Sequence, residues 1–293
     1  MTPPDDHVIL IDEPTLTDPV LVVVFEGWID AGFGAATAIT TLLEITGSSM
    51  LATFDGEYFL DQRARRPMAR IVDGVTVELQ WPEIQLRHGT DGDGADVLLL
   101  VGPEPDFHWV EFCEMVVALA EQFDVRLVVG LGAFPAPAPH TRPVRLAATV
   151  PSASQHLLAK VGLVAGELEV PAGIISALEL AFADAGIDAI TLWARVPHYV
   201  ATLPYPQASV ALVDGVASIA GLTLDASALR KSADDARARV DELVGSNPEH
   251  ASMVADLEAT IDEAEGNALD ASVIPTGDDL ARDIERFLRG EDS

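Results

Sequence analysis

Hydrophobic residues in this chain fall into short aliphatic runs separated by stretches with apolar residues at helical spacing. Val20–Phe25 is apolar at every position, the pattern of a strand enclosed on both faces of a parallel sheet. Met50–Phe54, Val97–Val101, Arg126–Val129, a segment near Val144–Thr149 and Ala189–Ala194 repeat that signal, and Val8–Ile11 precedes them. Between them the pattern predicts a helix ending near Ile45, with Gly47 at its C-cap, then Phe107–Gln122, Gly173–Ala185 and Gln207–Ala220. Ser152 suits the N-cap of a short helix to Lys160. Strands alternating with helices at this spacing predict an α/β fold of three layers, α/β/α, around a mostly parallel sheet.

Two segments break the rhythm. Ala69–Val72 and Val75–Leu79 flank Asp73-Gly74, a strong two-residue hairpin signal. Val75, Val77, Leu79 and Trp81 alternate with Thr76, Glu78 and Gln80, so this β-hairpin is expected to have one covered face and one wet face. Beyond Leu224 no strand is predicted. Ala228–Val244 and Pro248–Ala264 read as two helices joined by Gly245-Ser246-Asn247. Leu229, Ala233, Ala236, Val240 and Leu243 form an apolar stripe on the first, and Met253, Leu257 and Ile261 on the second. Such a helical hairpin must lay its stripe on the core or on another subunit. A last helix is expected over Asp278–Leu288. The reading is therefore a core over 1–224 and an acidic helical C-terminal segment over 225–293.

Charge narrows the function. The chain of 293 residues carries 47 acids against 17 bases, a net of −30, and only Lys160 and Lys231 are lysines. Nucleic-acid binding needs basic residues to neutralise phosphates, and the only basic run is Arg63, Arg65 and Arg66. No nucleic-acid partner is expected, and an anionic membrane is disfavoured by the same repulsion. The N-terminus is acidic and proline-bearing, and no apolar run approaches a membrane span, so a cytoplasmic protein is expected. The single cysteine, Cys113, excludes an internal disulfide and reads as a small buried hydrophobe.

Candidate chemistry gathers in three loops. Gly27-Trp28-Ile29-Asp30-Ala31-Gly32 follows a buried strand and precedes a helix, where α/β folds bind ligands. Its spacing departs from G-x-G-x-x-G, and Asp30 would repel a phosphate; a shaped turn lining a pocket fits better. Asp55, ending the next strand, has the position but not the context of a ribose-binding acid. His140-Thr141-Arg142-Pro143 places a bidentate donor beside an imidazole, suited either to an anionic ligand or to a carboxylate of the chain itself. Pro197-His198-Tyr199 follows another strand. Gly27, Trp28, Asp30, Gly32, His140, Arg142, His198 and Tyr199 form the candidate pocket. No cofactor or metal is expected: His108 and Glu111 are only two ligands, and Asp91-Gly92-Asp93-Gly94 lacks the closing Glu of a calcium loop and reads as a turn. Ser152, Ser154 and His156 lack a nucleophile elbow, so no catalytic residue is assigned.

Gly27 to Gly32, Gly132-Ala133-Phe134-Pro135 and Pro139-His140-Thr141-Arg142-Pro143 resemble motifs of the proteasome assembly chaperone 2 family, in its actinobacterial branch. Gly102-Pro103-Glu104-Pro105, Trp109, Pro171-Ala172-Gly173-Ile174 and Val196-Pro197-His198-Tyr199 fit the same pattern, over about residues 8 to 224. The resemblance implies an α/β/α fold similar to nucleoside phosphorylases and related hydrolases, and a homo-oligomer. It implies a proteasome subunit as protein partner, although the hydrophobic–Tyr–X tail that docks such proteins is not found in Gly290-Glu291-Asp292-Ser293. Two functions follow. The first is a non-enzymatic homo-oligomeric chaperone or adaptor. The second is a small-molecule hydrolase or phosphorylase-like enzyme using Asp30, His140, Arg142 and His198, which requires those residues to share one cleft.

Overall fold

A computed structural model describes residues 7–27, 29–163 and 166–268. In chain order the strands are β1 (Val8–Leu10), β2 (Val20–Glu26), β3 (Ser49–Phe54), β4 (Met68–Val72), β5 (Val75–Gln80), β6 (Ile84–Thr90), β7 (Asp96–Pro103), β8 (Leu127–Ala136), β9 (Leu146–Thr149) and β10 (Asp188–Pro197). The helices are α1 (Gly34–Ile45), α2 (Gly56–Phe59), α3 (Trp109–Gln122), α4 (Ile174–Asp184), α5 (Pro206–Ala220), α6 (Ser227–Gly245) and α7 (Pro248–Ala268). Eight strands form one sheet in the order β1-β3-β6-β7-β2-β8-β10-β9. β7, β2, β8 and β10 are parallel neighbours. β3 points the same way across the antiparallel β6, so five of the eight strands share one direction. β1 and β9 close the edges antiparallel.

The aliphatic run of β2 is explained by its central place. Val20, Val22 and Val24 enter a core with α1 and α5, while Leu21 and Val23 enter a second core with α3 and α4 on the opposite face. Both faces are dry, so no polar alternation survives. Helices on both sides make the three layers that the sequence predicts. α6 lies on α5 through Leu229, Ala233, Ala236 and Val240, and α7 returns along it. Leu243, assigned to the same stripe, is instead exposed. Among the described residues no helix is long and apolar enough to cross a membrane. The helix expected over Asp278–Leu288 lies outside the described residues.

One strand is absent from the sequence pattern and two local expectations are corrected. β6 joins the main sheet although its polar residues hide it in the sequence: Ile84 and Leu86 are buried, but Arg87 and His88 interrupt the apolar signal. The 152–160 segment is a 3₁₀ helix whose N-cap is Pro151, and Ser154, not Ser152, makes the structural bond, donating Oγ–H to Asp188 at 2.9 Å. The β4–β5 hairpin forms with Asp73 and Gly74 both at positive φ, as the turn demands. Every residue of its two strands is nevertheless exposed, so it has two wet faces and no covered one.

Candidate functional site

Parallel strands end together, so the loops after β2, β8 and β10 meet at one sheet edge. An isolated parallel bridge from Asp30 to Ala133 extends β2 alongside β8. Gly32 then ties the first loop to the third: its N–H donates to Ala201 at 2.7 Å and its carbonyl accepts from Tyr205 at 2.8 Å. A Cβ at Gly32 would lie 2.7 Å from the Tyr205 Cβ, so only glycine lets these loops approach so closely. Asp30 has a structural task. Its two carboxylate oxygens accept from the N–H groups of Ala35 and Ala36, supplying the side-chain cap that Phe33 does not give α1. Burial pushes its pKa up despite these bonds.

His140 is buried at the centre of the cluster. Its backbone N–H donates to the Tyr199 hydroxyl at 2.7 Å, and its Nδ1 lies 2.6 Å from the same oxygen. Its Nε2 lies 3.0 Å from the Asp241 carboxylate on α6. Burial pushes the Tyr199 phenol up to about 12, so it stays a neutral hydroxyl. Arg142 forks onto Asp262 of α7, Nε to Oδ1 at 3.0 Å and Nη2 to Oδ2 at 2.7 Å, and its Nη1 reaches Glu258 at 3.3 Å. Thr141 also bonds Glu258, while its carbonyl accepts from Arg237 at 3.0 Å. The 140–142 loop is thus a latch for the C-terminal hairpin. Of the two chemistries its residues suggest, they take the internal carboxylates.

The remaining candidates are dispersed. Gly27 sits over the Arg65 guanidinium, which is held by Asp106 and by the carbonyl of Glu104. His198 meets Tyr199 edge to face, with ring centroids 5.4 Å apart. Trp28 lies outside the described residues. His140 and Arg142 line an open cleft of about 840 Å³ between α5, α6 and the 143–146 segment, whereas Asp30 and His198 do not border it. Arg142, Arg145, Arg230 and Arg237 share that cleft with Asp214 and Asp234.

Other motifs resolve into structure. Asp55 caps α2 and contacts His7 Nδ1 at 3.0 Å. Asp91 accepts from the N–H groups of Asp93, Ala95 and Thr223, a turn pinned to the chain after α5. Ser154 and His156 both approach Asp188, on its two oxygens, so the carboxylate separates them and no imidazole activates the serine. Cys113 is buried, and burial pushes its thiol up to about 12, which makes it inert. Among the described residues no group of three His, Cys, Asp or Glu is placed to hold a metal. The partners of His140 and Arg142 that the sequence pattern does not single out are Asp241, Glu258 and Asp262. The i, i+4 spacing of the last two, which puts both on one face of a helix, was the available signal.

Together these features define an α/β/α protein whose 140–142 loop, at one edge of the sheet, is latched to its own helical hairpin. The chain belongs to the PAC2 family, whose model matches residues 24–244. Three solved structures are similar. A protein of unknown function from Mycobacterium tuberculosis is 32% identical, covers 90% of this chain and 92% of its own, and superposes with a TM-score of 0.82. A proteasome-assembly chaperone homologue from the same organism is 36% identical over 80% of this chain and 99% of its own, with a TM-score of 0.74. A PAC2 family protein from Streptomyces avermitilis is 33% identical over 81% and 100%, with a TM-score of 0.71. These relatives agree with the actinobacterial branch suggested by the motifs. No curated protein matches the sequence.

Proposed function

We propose that this protein is a non-enzymatic, homo-oligomeric interaction protein of the cytoplasm that acts as a proteasome assembly chaperone or adaptor. The observation that carries the reading is its 36% identity to a proteasome-assembly chaperone homologue, over 99% of that chain. The site supports it. The side chains that a hydrolase would recruit are engaged in holding the chain together: Asp30 at a helix N-terminus, His140 with Tyr199 and Asp241, Arg142 with Asp262. In this reading residues 1–224 form the scaffold, and α6 and α7 of the segment 225–293 pack onto its sheet edge through the latch.

The test uses the full chain with purified proteasome α and β subunits and with the assembled 20S particle. Co-elution with free subunits, or faster formation of the particle, is the expected result. Failure to bind subunits, intermediates and the complete particle alike overturns the proposal.

A further inference from the structure

We infer that Arg195, with the indole of Trp193 beside it, binds a small carboxylate that carries a short branched apolar arm. The inference goes beyond the chaperone reading and does not depend on it, because the site binds and does not catalyse. Arg195 is third from the end of β10, at the sheet edge where parallel strands present their ligands. No hydrogen bond or ion pair joins its side chain to any described residue, and its Nε is buried without an acceptor. Arg65, Arg70, Arg142 and Arg230 each hold a carboxylate of this acid-rich chain. A partner was therefore easy to supply, and Arg195 is left without one. Burial pushes its pKa down, and the nearby charge of Arg145 pushes the same way. An anion placed on the guanidinium opposes both influences.

Alternation along β10 fixes what surrounds the guanidinium. Ala194 and Val196 enter the core with α1 and α5, so Thr191, Trp193 and Arg195 face the α4 side, where Thr191 bonds Glu179. Trp193 and Arg195, two positions apart on one face, are separated by about 6–7 Å along the strand. The Trp193 ring lies over Gly132 of β8, where any Cβ would collide with it. Its Nε1–H donates to Thr149 at 3.1 Å, which fixes the ring. With Phe25, Val170, Pro171, Ile174 and Ile175, that ring walls a pocket of about 60 Å³. Such a volume has room for about four to six water-sized atoms. One acid, Glu104, borders the pocket and accepts the N–H of Ile174 at 2.7 Å. Its charge keeps a carboxylate out of the pocket and leaves the guanidinium as the anionic end's place. The apolar arm then fills the pocket.

The experiment titrates the isotope-labelled full-length chain with isovalerate at constant ionic strength and follows the Arg195 Nε–H resonance by NMR. That resonance is assigned by its loss in Arg195→Met. Isovaleramide keeps the shape without the charge, and acetate keeps the charge without the arm. Isovalerate is expected to shift the resonance saturably, with each control binding at least about 10-fold more weakly. Arg195→Met keeps the aliphatic stem and deletes an unpaired charge, so its urea midpoint should equal or exceed that of wild type. Isovalerate should raise the midpoint of wild type and leave that of the variant unchanged. An equal response to acetate reduces the site to a bare ion contact and overturns the proposal. An equal response to isovaleramide overturns it as well, since the pocket then binds without Arg195. No saturable shift at tens of millimolar does the same. A lower midpoint in Arg195→Met also sinks it, because Arg195 then has a task inside the fold. None of these results bears on the binding of proteasome subunits, which is read separately.

Discussion

Arg142 grips Asp262 with two near-parallel hydrogen bonds, at 3.0 and 2.7 Å, across 120 positions of sequence. The fork holds the Asp262 carboxyl below its ordinary range. Exposed ion pairs taken singly contribute little, but here Glu258, Thr141, His140 and Asp241 complete a network between one loop and two helices. Arg142→Asp should therefore loosen α7 selectively, raising hydrogen exchange along Pro248–Ala268 while β2 and α1 keep their protection. Adding Asp262→Arg restores the pair with reversed polarity and should slow exchange again. Uniform loss of protection in the single variant, or no rescue in the double, would show that the latch does not hold α7.

Tyr199→Phe tests the other half of the latch. The hydroxyl accepts the backbone N–H of the buried His140 and contacts its ring, so its removal strands a buried donor. The expected cost is about 1–3 kcal/mol, read as a lower urea midpoint at unchanged slope. An unaltered midpoint would mean that another group satisfies His140.

What the sequence made legible was whatever depends on neighbours in the chain. Val20 to Val24 announced a central strand because both cores touch it, and Asp73-Gly74 announced a turn because positive φ is a local demand. β6 escaped notice because its polar positions are matched by partners on the neighbouring strands: His88 meets Asp96 of β7 at 2.8 Å and Arg87 donates to the Ser48 carbonyl beside β3 at 2.8 Å. The hairpin pattern likewise revealed which positions want cover, not whether the chain provides it. At the site, His140 and Arg142 stood out as reactive residues, yet their roles are set by acids 101 to 120 positions away, submerged in a tail that holds 18 acids. Type and spacing located the loop, and only the folded arrangement says what it grips.

Gly32→Ala should be far more damaging than Gly47→Ala. Both glycines sit at positive φ, 63° and 58°, so both substitutions carry the conformational cost, about 1 kcal/mol. Nothing lies within 4 Å of a Cβ at Gly47, whereas at Gly32 it meets the Tyr205 Cβ at 2.7 Å and Val196 at 3.3 Å. Parting the two loops adds overpacking of about 1–3 kcal/mol. Equal losses in the two variants would place the strain in the backbone alone.

Asp30 gives a pH signature whose sign separates burial from hydrogen bonding. Asp30→Ala should cost about 1 kcal/mol as a lost helix cap. Burial, the larger influence, raises the carboxyl's pKa in the folded chain. From the ordinary value near 3.9 up to that raised value, the folded state binds more protons than the unfolded one. Stability from this group is therefore greatest at low pH, falls as pH rises through the window, and stays at its reduced level above it. Asp30→Asn cannot titrate but keeps an oxygen to accept one N–H. The stability of wild type relative to Asp30→Asn should then decline from pH 4 toward neutrality in urea titrations. A difference that grows with pH would mean that the Ala35 and Ala36 bonds outweigh burial and that the carboxylate, not the acid, is the form the fold prefers.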